Sequence, residues 1–79
     1  MRIEVPLPDL GEDAGDEATI AFWYFEIGDA VAEEDDLVEM VTDKATFQVP
    51  SPGSGKLTEI LVHEGGKVKV GQLMAVLEG

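Results

Sequence analysis

Ile3, Val5 and Leu7 alternate with Arg2, Glu4 and Pro6 at the start of the chain, the two-residue period of a strand with one buried face. Short apolar runs recur at 20–27, 37–41, 45–49, 57–62 and 73–77, separated by glycine, proline or acidic residues. The run at 20–27 holds Phe22, Trp23, Tyr24 and Phe25. Runs of this length and content, bounded by turn-forming residues, predict strands. No segment shows a sustained helical stripe with a cap. The nearest rival is the acidic stretch 30–41, but Asp35 and Asp36 interrupt it and no apolar stripe runs through it, so it predicts a turn and then a strand.

The pattern repeats. TIAFWYFEIGDAV from Thr19 aligns with KLTEILVHEGGKV from Lys56 at an offset of 37, setting Ile20 on Leu57, Trp23 on Ile60, Gly28 on Gly65 and Val31 on Val68. Beyond the acidic run, residue type favours an offset of 36, with Leu37 on Leu73 and Met40 on Val76. VPLP from Val5 likewise echoes VPSP from Val49. Neither half can bury its apolar face alone, so the repeat predicts an all-β fold of two sheets packed face to face about a pseudo-twofold axis. Shifted by 36, Lys44 falls at position 80, just past the last residue. The counterpart of the Lys44 turn is then the gap between the chain ends, with Lys44 at one pole and both termini at the other.

Composition narrows the classes. The 79 residues suit one domain, 1–79, with a small core. There is no cysteine and a single histidine, His63, so neither a disulfide nor a zinc site staples the fold. With 44% hydrophobic residues the chain is expected to be globular. Its formal net charge of −12 argues against nucleic acid and anionic membrane as partners, both being polyanions. No apolar run approaches the ~20 residues of a membrane span, and MRIEVPLPDL lacks the apolar core of a signal peptide. A soluble, intracellular, reducing setting is the simplest expectation.

Lysine is poorly suited to a strand interior, yet MVTDKATF sets Lys44 between two strand-like runs. Thr42-Asp43-Lys44-Ala45 reads as the turn of a hairpin, with Asp43 expected to bond nearby backbone N–H groups. Lys44 then stands at the tip of a loop on a rigid scaffold, where a group that other proteins must reach belongs.

DKAT at Asp43, VPSP at Val49 and ILVHEGGKVKVGQLM from Ile60, with LPDLGE at Leu7 and IGDAV at Ile27, resemble the lipoyl domain of 2-oxo acid dehydrogenase acyltransferases, within the biotinyl/lipoyl-attachment family. The resemblance runs from about Ile3 to Leu77. It implies a flattened β-barrel of two four-stranded antiparallel sheets. It also implies that Lys44, flanked by Asp43 and Ala45, carries lipoate as a covalent amide. The domain would then be a non-catalytic, monomeric carrier in an acyltransferase chain. Its implied partners are a thiamin-dependent 2-oxo acid decarboxylase, the acyltransferase catalytic domain, the flavin enzyme dihydrolipoyl dehydrogenase, and the lipoate ligase or lipoyl transferase that loads it. The implied setting is cytoplasmic, or the mitochondrial matrix in a eukaryote. DKAT with VPSP leans toward pyruvate or a branched-chain acid over 2-oxoglutarate. A chain stopping at VLEG, where a linker would begin, leans toward a fragment of a longer acyltransferase.

Three departures stand out. Ala18 occupies a position where the family usually has glycine, Gly66 replaces an acid, and the loop GEDAGDEAT from Gly11 is unusually acidic. That loop lies near the modified lysine in the family and helps a partner recognise the domain.

The alternatives are a biotin carrier on the same fold and an unmodified interaction module. Biotin carriers set their lysine between two methionines, whereas Met40 lies four residues from Lys44. For an enzyme, no Ser/His/Asp set, phosphate-binding glycine loop or metal cluster is evident. Trp23 reads as packing, His63 as an exposed strand end, and the acidic run 33–36 as a solvated turn.

Overall fold

The computed structural model describes residues 1–9 and 15–79. Eight strands follow in order: β1 (Arg2–Pro6), β2 (Glu17–Trp23), β3 (Ala30–Val31), β4 (Asp36–Val41), β5 (Thr46–Pro50), β6 (Gly55–Ile60), β7 (Lys67–Lys69) and β8 (Leu73–Glu78). They form two four-stranded antiparallel sheets, β1-β8-β6-β3 and β5-β4-β2-β7, packed as a flattened sandwich rather than closed into one barrel. Replacing β1, β8, β6 and β3 by β5, β4, β2 and β7 turns one sheet into the other, which is the pseudo-twofold read from the repeat.

The symmetry holds bond by bond. Gly28 N–H donates to Leu57 O, and Gly65 N–H donates to Ile20 O. Asp35 N–H donates to Ala32 O, as Gln72 N–H does to Lys69 O. Tyr24 N–H donates to Leu37 O, as Leu61 N–H does to Met74 O. That last pair corrects the alignment of the final strands. In β8 the offset stays at 37, so Leu37 matches Met74 and Met40 matches Leu77. Burial agrees, since Leu37, Met40, Met74 and Leu77 are fully enclosed while Leu73 is only half-buried. An irregularity between Ile20 and Phe22 in β2 recurs between Leu57 and Glu59 in β6.

Strand boundaries depart modestly from the pattern. The aromatic run stops being strand after Trp23, because Asp29 Oδ2 accepts Glu26 N–H at 2.8 Å and Gly28 turns the chain at φ 102°. The stretch 30–41 holds β3, a turn and β4, with no helix. The short strands β3 and β7 each place one valine, Val31 and Val68, in the core. Trp23 packs against that core and its Nε1–H donates to Val62 O at 3.0 Å, tying the two halves together.

The chain ends meet. Gly79 N–H donates to Met1 O, and the Met1 amine donates to Gly79 O, both at 2.8 Å. They close the β8–β1 edge as Thr42 and Ala45 close the β4–β5 turn, where Thr42 N–H donates to Ala45 O at 2.8 Å. With the 37 offset, Lys44 maps to position 81, so its counterpart still lies in the gap between the ends.

Candidate functional site

The β4–β5 stem is a regular ladder, with Met40 opposite Phe47 and Val41 opposite Thr46. Met40 and Val38 point inward and anchor the hairpin in the core, so the two-residue tip Asp43–Lys44 sits on a rigid base. Thr42 holds the tip. Its Oγ1 accepts from Lys44 N–H at 3.3 Å and from Ala45 N–H at 3.2 Å, and its hydroxyl lies 3.2 Å from Ala45 O. The sequence pointed to Asp43 for this work. The Asp43 side chain makes no hydrogen bond among the described residues, and the threonine one position earlier takes the role. The available signal was a Ser/Thr turn, in which a hydroxyl bonds the backbone two residues on.

Lys44 is exposed and forms no salt bridge among the described residues. Asp43 and Ala45 on either side are exposed too. The backbone at this point is fixed while the amine, unpaired among the described residues, stands in solvent, where a primary amine can act as a nucleophile. Lys56, Lys67 and Lys69 are also exposed, but they lie within paired strands β6 and β7. Lys44 is the one lysine at a turn.

An open cleft of about 630 Å³ lies beside Lys44, lined by Asp16, Glu17, Thr19, Asp43 and Lys67 among others. The acidic loop expected near Lys44, 11–19, falls partly outside the described residues, but its described residues, Gly15 to Thr19, form one wall of this cleft. Ala18 is buried at the cleft edge. At its twofold mate Gly55, an added Cβ would sit 2.7 Å from Glu78 O. Gly66 has a tight neighbour of its own, since a Cβ there would sit 2.6 Å from Val62 Cγ1.

The other singled-out residues stay apart from the Lys44 tip. His63 is exposed in the turn after β6, beside a second open cleft with Trp23, Phe25 and Ile27. Glu34 lies in the turn before β4, at φ 73°. No group of three or more metal-ligating side chains gathers among the described residues.

Comparison with known proteins places this geometry. The family model described as biotin-requiring enzyme matches residues 3–77. The chain is 46% identical over 78 residues to the dihydrolipoyllysine-residue succinyltransferase component of the 2-oxoglutarate dehydrogenase complex of Bartonella vinsonii subsp. berkhoffii, covering 99% of this chain and 19% of that protein. It is 38% identical over 78 residues to the dihydrolipoyllysine-residue acetyltransferase component of the pyruvate dehydrogenase complex of Staphylococcus epidermidis, covering 99% and 18%. The chain thus spans about a fifth of the length of these curated relatives. Among solved structures, the lipoyl domain of the Azotobacter vinelandii 2-oxoglutarate dehydrogenase complex superposes with a TM-score of 0.75 at 30% identity, covering 98% of this chain and 96% of that one. Kluyveromyces lactis urea carboxylase superposes with a TM-score of 0.82 at 22% identity, covering 99% of this chain and 6% of that one, a likeness of fold alone. The relatives divide between 2-oxoglutarate and pyruvate complexes, so the lean toward pyruvate or a branched-chain acid gains no support from them.

Proposed function

The chain belongs to the biotin/lipoyl-attachment family, as a lipoyl domain of the 2-oxo acid dehydrogenase acyltransferase kind, and on that premise we propose that Lys44 is the residue acylated by lipoate. The observation that carries the assignment is the placement of Lys44: an exposed amine at the tip of a turn whose backbone Thr42 fixes, with the paired chain ends closing the matching edge of the other sheet. The tip offers room for such a group, since the amine has no partner among the described residues and an open cleft lies beside it.

Bound there, lipoate supplies a dithiolane, a strained cyclic disulfide that can take up an acyl group and two electrons and be restored by oxidation. The protein's own part is mechanical. Thr42 and the β4–β5 stem fix where the arm begins. Amide formation removes the lysine charge and takes the net charge one unit below −12. Chain attached at the termini leaves the Lys44 pole free to face outward, and such tethering raises the local concentration of the arm at each active site within reach. The partners of this reading are a thiamin-dependent 2-oxo acid decarboxylase, an acyltransferase catalytic domain, dihydrolipoyl dehydrogenase and the loading ligase, with the cytoplasm or mitochondrial matrix as the setting.

Biotin attachment is disfavoured by the surroundings of the lysine. Asp43 and Ala45 flank it, and Met40 is fully buried in the core, so no methionine frames the amine. The test is to incubate the protein with a lipoate ligase, ATP and lipoate, and in parallel with a biotin ligase, ATP and biotin, reading intact mass and peptide maps. We expect one lipoyl group on Lys44, none on Lys44→Gln, and no biotin. Labelling that moves to Lys56, Lys67 or Lys69 would refute the assignment.

A further inference from the structure

The internal twofold provides a comparison within one molecule, because the same strand frame is used twice with different outward chemistry. On the sheet that carries Lys44, the outward rows that reach β4 run Lys67–Thr19–Val41–Thr46 and Phe22–Glu39–Gln48. The matching rows of the other sheet run Ala30–Lys56–Glu78–Arg2 and Glu59–Val76–Glu4, with Val76 covered by its neighbours. Five of the seven positions are charged on that second face, against two on the first, Glu39 and the edge-strand Lys67. Even Glu39 is engaged, its Oε1 accepting from Gln48 Nε2 at 3.0 Å and from the Tyr24 hydroxyl at 3.4 Å. Phe22 and Tyr24 stand exposed with ring centroids 4.8 Å apart in an edge-to-face pair, and Val41 is exposed one row nearer the tip. In a chain of net charge −12, solvation alone does not call for a face so poor in charge.

We infer that the β5-β4-β2 part of this outer face is the surface gripped by the enzyme that acylates Lys44, and that the grip rests on apolar and aromatic contact rather than on the acidic surface. The inference rests on the reading of Lys44 given above. The occupant follows from a problem of selection. The loading enzyme must choose one primary amine among four exposed lysines, and the amines themselves are chemically alike. It must therefore read protein surface joined rigidly to the correct one. The Thr19–Val41–Thr46 row runs directly into Thr42 and Ala45 at the base of the tip, so face and amine move as one body. Lys56 instead lies within the charged face, and Lys67 and Lys69 lie on the edge strand β7, two strands away from β4 and off the tip of any turn. A patch built on Phe22, Tyr24 and Val41 is also small, as suits an enzyme that must release the domain after one transfer.

The twofold mates indicate which substitutions the frame tolerates. Phe22→Glu installs the residue found at its mate Glu59, and Thr46→Arg installs that of Arg2. Initial rates with a lipoate ligase, ATP and lipoate, read by intact mass, give KM and kcat for wild type, each variant and the opposite-face control Glu59→Gln. We expect KM to rise roughly tenfold or more for both variants, equivalent to about 1.4 kcal/mol of binding, with kcat and melting temperature near wild type and the control unchanged. The wild-type KM should change little with added salt. Titrating the ¹⁵N-labelled protein with ligase in the absence of ATP should broaden Thr19, Phe22, Val41 and Gln48 and spare Arg2, Glu4 and Lys56. An unchanged KM in both folded variants, broadening confined to 42–45, or a KM that rises steeply with salt overturns the inference while leaving Lys44 as the modified residue. Wild-type protein that takes no lipoate at Lys44 overturns the reading beneath it.

Discussion

Thr42 and Glu34 show what one side chain contributes on this frame. The Thr42 hydroxyl is the hub of the tip, and valine matches its shape without its hydrogen bonds. Thr42→Val should cost about 1 kcal/mol of stability, measured by urea unfolding followed through the single Trp23, while Thr42→Ser should cost less. Heteronuclear relaxation should show 43–45 becoming mobile in the valine variant and not in the serine one. Glu34 has the opposite character. It holds a left-handed backbone, φ 73°, at the position whose twofold mate is Gly71, φ 87°. A side chain there is strained and glycine is not. Glu34→Gly should therefore stabilise the fold by about 0.5–1 kcal/mol, the relief of strain exceeding the added freedom of the unfolded chain. A lower urea midpoint for Glu34→Gly would contradict this. The turn at Lys44 was legible in the sequence because a lysine and an aspartate break a strand-like pattern. The part of Thr42 was not, since threonine fits a strand as readily as a turn.

At the scale of the strand, six of the eight elements were visible as apolar runs, and the two that were not are β3 and β7, two and three residues long. Elements so short have no period to read. The pairing of halves was legible from glycines and valines at fixed spacing. The last strands were misaligned by one because Leu37 resembles Leu73 more than it resembles Met74. Only the ladder, with Tyr24 bonded to Leu37 and Leu61 to Met74, fixes the register. A single-residue slip would turn each side chain to the wrong face, so burial enforces what residue type obscured. The same pairing separates two small residues. At Gly55 a Cβ would meet the Glu78 carbonyl at 2.7 Å, and a strand backbone cannot yield as a side-chain tip can. Gly55→Ala should cost about 1–3 kcal/mol by overpacking. Ala18→Gly at the mate should cost about 0.5–1 kcal/mol, from backbone entropy and a lost methyl contact. Equal losses for the two in chemical denaturation would mean that the poles are packed alike.

For the whole molecule, the decisive relation is between the Lys44 turn and the chain ends. Gly79 bonds Met1 as Thr42 bonds Ala45, and the twofold sets Gly79 on Thr42 and Met1 on Ala45. Two residues are all that separates the open edge from a second copy of the turn. A backbone-cyclised protein carrying an Asp-Lys insert between Gly79 and Met1 should therefore fold. Closing the chain removes unfolded-state entropy, and cross-links of such long loops stabilise by up to about 4 kcal/mol. The thermal midpoint should rise accordingly, and the ladder amides of β1 and β8 should exchange more slowly. The same molecule separates two accounts of how Lys44 is chosen. If position in a tight turn is sufficient, the inserted lysine and Lys44 should be acylated by a lipoate ligase at similar rates, since both would sit on equivalent stems. If the loading enzyme grips the outer face, the inserted lysine should be slower by roughly tenfold or more, because its stem is flanked by Arg2, Glu4, Lys56, Glu59 and Glu78 in place of the aromatic patch. Peptide mapping at partial conversion reads both rates in one reaction. Equal labelling would dispose of the docking face and leave turn geometry as the sole determinant.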